Sequence, residues 1–177
     1  VVGGGNWGKN HIRVLNKIGA LGGIVDSNSS ILNTYKQLYP YAQYFNCVEE
    51  AIDFGFDGFI VATPAISHYE ITKKILKKNH VLVEKPFTVN IDEAIELNAL
   101  AKKNNLNLMV GHLLLFHPAF RKIKQIITDG VIGDLQYLYS NRLNLGKIRN
   151  EENVFWSLAP HDISLFEYFI NDSPIKI

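Results

Sequence analysis

Residues 1–11, VVGGGNWGKNH, put two β-branched residues ahead of Gly3, Gly5 and Gly8 in the spacing G-x-G-x-x-G. Each glycine answers a separate physical need. The first makes a tight turn, the second lets backbone come close to a pyrophosphate, and the third allows a helix to pack closely on a strand. The helix that begins there offers unpaired N–H groups and the positive end of its dipole to an anion. Such a triplet alone is weak, because glycine-rich turns are common. Here LGGIVD (21–26) reads as a second strand, and its last residue is Asp26. That acid stands about 20 residues beyond the glycines, the usual offset for a carboxylate that binds a ribose 2′-hydroxyl. Strand, triplet, helix, strand and acid together predict a dinucleotide site.

Outward from this start, short β-branched runs alternate with helical patterns, as in a parallel sheet with crossover helices. A helix is predicted over about Trp7–Ile18, with Ile12, Leu15 and Ile18 on one face. ILNTYKQLY (31–39) is a second helix stopped by Pro40, and a short strand is expected near Tyr44-Phe45, followed by a helical turn through VEEAIDF. GFIVAT (58–63) and HVLVE (80–84) read as buried strands on either side of the helix ISHYEITKKILKKN (66–79). Asn90 and Glu93 have the spacing of a capping box ahead of IDEAIELNALAKKNN. NLMVGH (107–112) would be the last strand of this domain, which closes at residue 112.

Beyond it the pattern changes. A helix over about 118–129 carries Phe120, Ile123 and Ile127 on one side and leads into the turn DGVIGD. DLQYLYSNRLNL (134–145) alternates apolar with polar residues and reads as a half-buried strand of a different sheet. A helix near 157–170 follows, and SPIKI (173–177) would open another strand. A sheet needs more strands than these. Residues 113–177 are therefore expected to be the N-terminal part of a second α/β domain that is incomplete here.

The bulk composition excludes several classes. Hydrophobic residues make up 47% and charged residues 20% of the 177, a balance that suits a globular core. Eighteen basic and seventeen acidic residues leave a net charge of +1 without a basic stripe, so no nucleic-acid partner is implied. Cys47 is the lone cysteine and has no metal-ligand companions, which fits a reducing cytoplasm and no metal site. No apolar run approaches the roughly 20 residues of a membrane span. The chain also lacks a signal-peptide pattern, and Val1 reads as the tail of a clipped first strand.

The run VLVEKPFTVN (81–90) poses a sharper question, because a strand built for the interior ends in Glu84-Lys85-Pro86. In an open parallel sheet the carboxyl ends of the strands face the ligand crevice. These charges, and Thr63-Pro64 at the end of the neighbouring strand, would then lie on the rim beside a bound dinucleotide. Asp26 repels a 2′-phosphate, and the following Ser27-Asn28 offers no arginine to hold one, which favours NAD over NADP.

With these motifs in hand, the chain resembles the Gfo/Idh/MocA family of NAD(P)-dependent sugar oxidoreductases. The resemblance rests on the glycine triplet, ATPAISHYE (62–70) and HVLVEKPF (80–87), and continues through VGH (110–112), IGDLQYLYSNR and APHDIS (159–164). It implies a doubly wound parallel (Rossmann) domain followed by an α/β domain with a large open, mainly antiparallel sheet that serves as a homo-oligomer interface. The implied cofactor site comprises Gly3, Gly5, Asn6, Trp7, Gly8, Asp26, Thr63, Pro64, His68, Glu84 and Lys85. Taken by its own position, His68 reads as packing on the helix side of that domain.

By the resemblance Lys85 is the catalytic residue, and its bond to Pro86 is often cis. The chemistry agrees, since an alcohol that gives up hydride from carbon must also lose its hydroxyl proton. A partly desolvated lysine can have its pKa lowered enough to take part in that transfer. Glu84 would orient it. Set against this is the plainer reading of Glu84 and Lys85 as a strand-end salt bridge.

The family commonly carries an Asp-x-x-x-His pair on a helix facing the substrate. Here His161 matches and the aspartate position is Ser157, which can hydrogen-bond a sugar hydroxyl but cannot hold a proton at neutral pH. His161 also falls on the apolar face of its helix with Leu158 and Leu165, where a histidine is often a satisfied core residue. His112 and His117 reach the same crevice or serve as loop and cap residues. Arg142, Lys147 and Arg149 would hold the phosphates of a nucleotide sugar, or form a solvated surface beside Glu151-Glu152.

The implied activity is oxidation of a sugar secondary hydroxyl. The resemblance to members from surface-polysaccharide pathways points to a nucleotide-linked N-acetylhexosaminuronate oxidised at C3. A free sugar or inositol substrate, or an NAD-binding sensor without turnover, are the alternatives.

Overall fold

The computed structural model describes residues 1–143 and 153–175. The chain folds as two units, Val1–Gly111 and His112–Ile177.

The first unit alternates strand and helix. α1 (Gly8–Lys17) leads to β1 (Gly23–Val25), α2 (Ser29–Leu38), β2 (Gln43–Phe45) and α3 (Val48–Asp53). Then come β3 (Gly58–Val61), a 3₁₀ turn (Ala65–Ser67), α4 (His68–Ile75), β4 (His80–Val83), α5 (Ile91–Lys103) and β5 (Leu108–Val110). β1 pairs with β2, and β3, β4 and β5 pair in order, all in parallel. Val2 joins the two halves, with parallel bridges to Val25 on one side and Val61 on the other. Reading across, the sheet runs β2, β1, Val2, β3, β4, β5. The expected short first strand is thus its centre.

Helical and strand patterns meet in two apolar clusters. One gathers Val2, Val25, Phe59, Val61, Val81 and Val83 from the sheet with Ile75 at the end of α4, Leu76 in its cap, and Leu97 and Ala101 from α5. The other holds Ile12, Ile24 and Leu32 between α1, β1 and α2. Ile18, expected on the inward face of α1, is instead 67% exposed. The helix ends at Lys17, and Ile18 falls in the cap, where the chain turns away through Gly19 at φ +72°. Asn28 and Asn90 each accept a hydrogen bond from the second N–H of the helix that follows, which fixes the starts of α2 and α5.

The described residues of the second unit are helical. A 3₁₀ turn (Leu113–Phe116) precedes α6 (Pro118–Thr128), and α7 (Val154–Ile170) begins three residues before the sequence suggests, because Asn153 caps it by accepting from the Trp156 N–H. The strand predicted over 134–145 does not form within the described part, 134–143, and residues 173–175 form none either. The alternation of Leu135, Tyr137, Tyr139 and Leu143 is present, but a strand also needs a backbone partner along its edge. Among the described residues none lies alongside, and Tyr137, Tyr139 and Leu143 are exposed, the two tyrosine rings stacked on each other. No helix among the described residues is long and apolar enough to cross a membrane.

Candidate functional site

Parallel pairing brings the carboxyl ends of the strands to one edge, and a line of backbone hydrogen bonds marks that rim. Asp26 N–H donates to the Phe45 carbonyl, Gly3 N–H to Val25, Ala62 N–H to Val2, Glu84 N–H to Val61 and Gly111 N–H to Val83. Asp26, the glycine turn, Thr63 and the Glu84-Lys85 pair therefore sit in consecutive strands at the same end of the sheet. Tertiary pairing brings together what the sequence spaces over more than eighty residues.

The three glycines separate by cause. Gly3 adopts φ +91°, where a side chain is strained, and an added Cβ would lie 2.8 Å from the Ala62 carbonyl oxygen. A Cβ on Gly8 would overlap the Gly3 carbonyl, so the close approach of α1 to the first strand requires glycine there. Gly5 differs: it has no positive φ, and a Cβ there would meet nothing within 4 Å. No neighbouring protein atom requires Gly5 to be glycine. Its bare backbone borders open space, as a pyrophosphate cradle demands.

At the same place α1 starts without a side-chain cap and without an acidic residue in its first turn, so its positive end is kept for an external anion. Asn6 and Trp7 lie exposed in that turn. The residues present thus fit a dinucleotide, with a pyrophosphate at Gly5 and the start of α1.

Asp26 is tied in place. Its carboxylate accepts Gly4 N–H at 2.8 Å on one oxygen and Asn28 N–H at 2.8 Å on the other. Each oxygen keeps lone-pair capacity for a ribose hydroxyl. Tyr35, which no motif marks in the sequence, donates its hydroxyl to the Gly4 carbonyl at 2.8 Å and props the turn from α2. A cleft of about 330 Å³ runs from Gly3 and Gly5 past Asp26 and Cys47 to Thr63 and Pro64. At its far wall the Ser67 hydroxyl donates to the Pro64 carbonyl at 2.7 Å and shares a hydrogen bond with the Thr63 hydroxyl at 2.8 Å.

Glu84 is 7% exposed and half-buried Lys85 follows it. The Lys85–Pro86 bond is cis. One Glu84 oxygen accepts from His11 Nε2 at 2.7 Å and the other from the Lys85 backbone N–H at 3.3 Å. Burial alone would push the Glu84 carboxyl up. Hydrogen bonds from His11 and Trp7, the charge on His11 and the Lys85 N–H outweigh it and hold the group below the usual carboxylate range.

His11 is missed by reading the sequence alone. The available signal is its place one helical turn after Gly8, on a helix whose Gly8 and Ile12 both face the sheet. His68, expected among the cofactor ligands, is 1% exposed, and its ring nitrogens face the Pro86 carbonyl at 2.8 Å and the Thr63 carbonyl at 2.9 Å. It packs behind the rim because its edges are committed to backbone, a correction to its place in the cofactor set.

In the second unit His112 precedes the 3₁₀ turn, and His117 caps α6 with Nδ1 accepting from the Ala119 N–H at 3.2 Å. Ser157 and His161 stand one turn apart on α7 and both are half-buried. Arg142, expected to hold substrate phosphate or to be solvated, is exposed and its Nε donates to Asp162 at 2.6 Å, while Ser140 donates to the other Asp162 oxygen at 2.7 Å. A carboxylate on α7 outcompetes solvent for the guanidinium, and nothing in the sequence marks Asp162 for that role. Lys147 and Arg149 lie outside the described residues. No group of three His, Cys, Asp or Glu that would hold a metal occurs among the described residues.

Comparison with known proteins bears on this geometry. Residues 1–112 match GFO_IDH_MocA, the oxidoreductase family with an NAD-binding Rossmann fold. The UDP-N-acetylglucosamine 3-dehydrogenase of Acidithiobacillus ferrooxidans is 27% identical over 183 residues, which take in all of this chain and 55% of that protein. The scyllo-inositol dehydrogenase of Lactobacillus casei, solved with NAD(H) and scyllo-inositol, superposes with a TM-score of 0.81 at 20% identity over 95% of this chain and 54% of that one. The WlbA dehydrogenase of Bordetella pertussis, solved with NADH and UDP-GlcNAcA, gives 0.68 at 22% identity over 73% and 41%. These structural likenesses speak to the fold. The chain spans about half the length of the curated relatives it matches.

Proposed function

Since this chain belongs to the Gfo/Idh/MocA oxidoreductase family, whose Rossmann fold binds NAD, we propose that it serves an NAD-dependent dehydrogenase that oxidises a secondary hydroxyl of a sugar. The observation that carries the reading is the shared rim: Lys85 ends a strand on the same sheet edge as the glycine turn and Asp26. Losing hydride from a carbinol carbon leaves a hydroxyl proton to be removed. Lys85 takes that proton, Glu84 and its partners fix the lysine backbone, and Gly5 with the start of α1 holds the pyrophosphate. NAD, when bound, supplies the hydride acceptor. His161 and Ser157 would contact the substrate, with His112 beside them.

For the substrate we favour a nucleotide-linked N-acetylhexosaminuronate oxidised at C3. The motif resemblance and the relative named as a UDP-N-acetylglucosamine 3-dehydrogenase support it. The Arg142–Asp162 pair leaves Arg142 less free for phosphate, so Arg149 is the arginine to test. A free sugar or inositol is the second reading, favoured by the likeness to a structure solved with scyllo-inositol. Self-association through the second domain, in the cytoplasm, completes the proposal.

The test mixes full-length protein with NAD and each candidate sugar and follows the absorbance of reduced nicotinamide. Lys85→Ala should lower kcat by roughly 100-fold or more with NAD binding intact, the scale of a lost proton-transfer group. Unchanged turnover in that variant removes Lys85 from the chemistry. NAD binding without turnover on any sugar would favour a sensor.

A further inference from the structure

We infer that His11 and His68 are positioning residues that hold the Glu84–Pro86 segment from opposite sides, and so set where the Lys85 side chain starts. The inference rests on the reading of Lys85 as the proton-transfer group.

On one side, His11 Nε2 lies 2.7 Å from Glu84 Oε1. An ionised carboxylate only accepts, so this ring nitrogen carries the proton. The other carboxylate oxygen takes the Lys85 N–H at 3.3 Å, which makes Glu84 a bridge from α1 to the lysine backbone. Gly111 closes the space behind it, since a Cβ there would lie 3.1 Å from the carboxylate. The carboxylate therefore has little room to swing away.

On the other side, the buried His68 ring spans from the Thr63 carbonyl to the Pro86 carbonyl, 2.9 and 2.8 Å. A neutral ring has a single N–H, so the tautomer protonated on Nδ1 donates to the Pro86 carbonyl and the other donates to Thr63. With the proton on Nδ1, His68 holds the residue after Lys85 from α4. Lysine has a long, flexible stem with many rotamers, and its amine is placed only as well as its Cα is placed. Two backbone anchors, one residue before and one after, are what that placement needs.

The His11 anchor has a further property. His11 stands one turn along the helix whose first residue is Gly8. The element that receives the pyrophosphate is thus the element that holds Glu84, and a helix is stiff over one turn. Seating of the cofactor and placement of the lysine share one rigid part.

The full-length protein carries the test. His11→Leu is expected to lower kcat at least about tenfold while the Kd for NAD changes by less than about threefold, the pattern of an interaction felt in the reaction and not in cofactor binding. In the NAD complex the amides of residues 84, 85, 87 and 88 should exchange hydrogen at least about tenfold faster than in the parent, with β1 unchanged. His11→Gln keeps an N–H for the carboxylate and should restore about half of kcat or more. His68 is deeply buried, so His68→Gln, which keeps one donor for the two carbonyls, is the milder variant and should show the same selective loss of kcat.

Unchanged exchange at the amides of residues 84, 85, 87 and 88 in His11→Leu overturns the inference. So does a parallel fall in kcat, NAD affinity and melting temperature that His11→Gln does not rescue, which marks ordinary loss of folded protein. Failure of the underlying reading looks different: Lys85→Ala would keep its turnover while the exchange response of His11→Leu persists.

Discussion

β4 and the stretch 134–143 both look like strands in sequence, and only the first is one. His80–Val83 pairs with β3 along one edge and β5 along the other, and both Val81 and Val83 are buried. The second stretch alternates apolar and polar residues more regularly, yet Tyr137, Tyr139 and Leu143 stand exposed with no ladder partner among the described residues. A pattern of side chains states which face would be buried. It does not supply the neighbouring backbone that makes the ladder. In the first unit five strands and Val2 supply one another with partners, and the apolar faces of α1, α4 and α5 close over them.

That contrast can be attacked directly. The largest effect on binding is expected at the rim that pairing creates. Gly8→Ala places a Cβ against the Gly3 carbonyl, and relief requires α1 to move off the sheet. NAD affinity, measured by titration calorimetry, should fall by roughly 100-fold or more, about 2.7 kcal/mol. Retained affinity would mean that the turn and helix are not packed as described.

Next come two leucines chosen as opposites. Leu97→Ala removes a fully buried side chain from the main cluster and should cost about 2–5 kcal/mol in denaturant unfolding. Leu143→Ala, at a residue 94% exposed, should change stability by less than about 0.5 kcal/mol. A comparable cost at both sites would erase the distinction between the two regions.

Caps give a smaller and more uniform effect. Asn28→Ala and Asn153→Ala each remove a side-chain acceptor from a helix start, in one unit and in the other, and each should cost about 1 kcal/mol by thermal unfolding. Equal costs would show that local capping works alike in both regions even where strand pairing differs.

The smallest expected effect is acid sensitivity at Glu84. Its carboxyl is held below the usual range in the folded protein, so the stabilisation is complete above the unfolded value. It is lost as pH falls through the lower, folded value. A Glu84→Gln variant should show a flatter loss of stability over that acid range than the parent, with thermal unfolding recorded across pH.

The cofactor half of the site is legible in the sequence because its signals are local. Gly3, Gly5 and Gly8 fall within one turn, and Asp26 ends a run whose strand character is plain. The lysine half is legible because a buried strand ending in two charges is a contradiction that a ligand edge resolves. His11 and Glu84 are 73 residues apart, and nothing in either neighbourhood names the other. His68 looks like a ligand by its place beside Thr63-Pro64, but the direction of its ring depends on where Pro86 comes to lie. Arg142 looks available until Asp162 arrives on α7.

Taken by itself, the order of residues settled the alternation of strand and helix in the first unit, the glycine turn and the acid beside it. Those features are governed by backbone sterics and by periodicities of two and 3.6, which act over a few residues. Tertiary structure alone decided which strands became neighbours, that Val2 is the centre of the sheet, and which side chains hold the lysine segment. Each of these requires groups far apart in the chain to meet, and only the packed sheet determines which of them do.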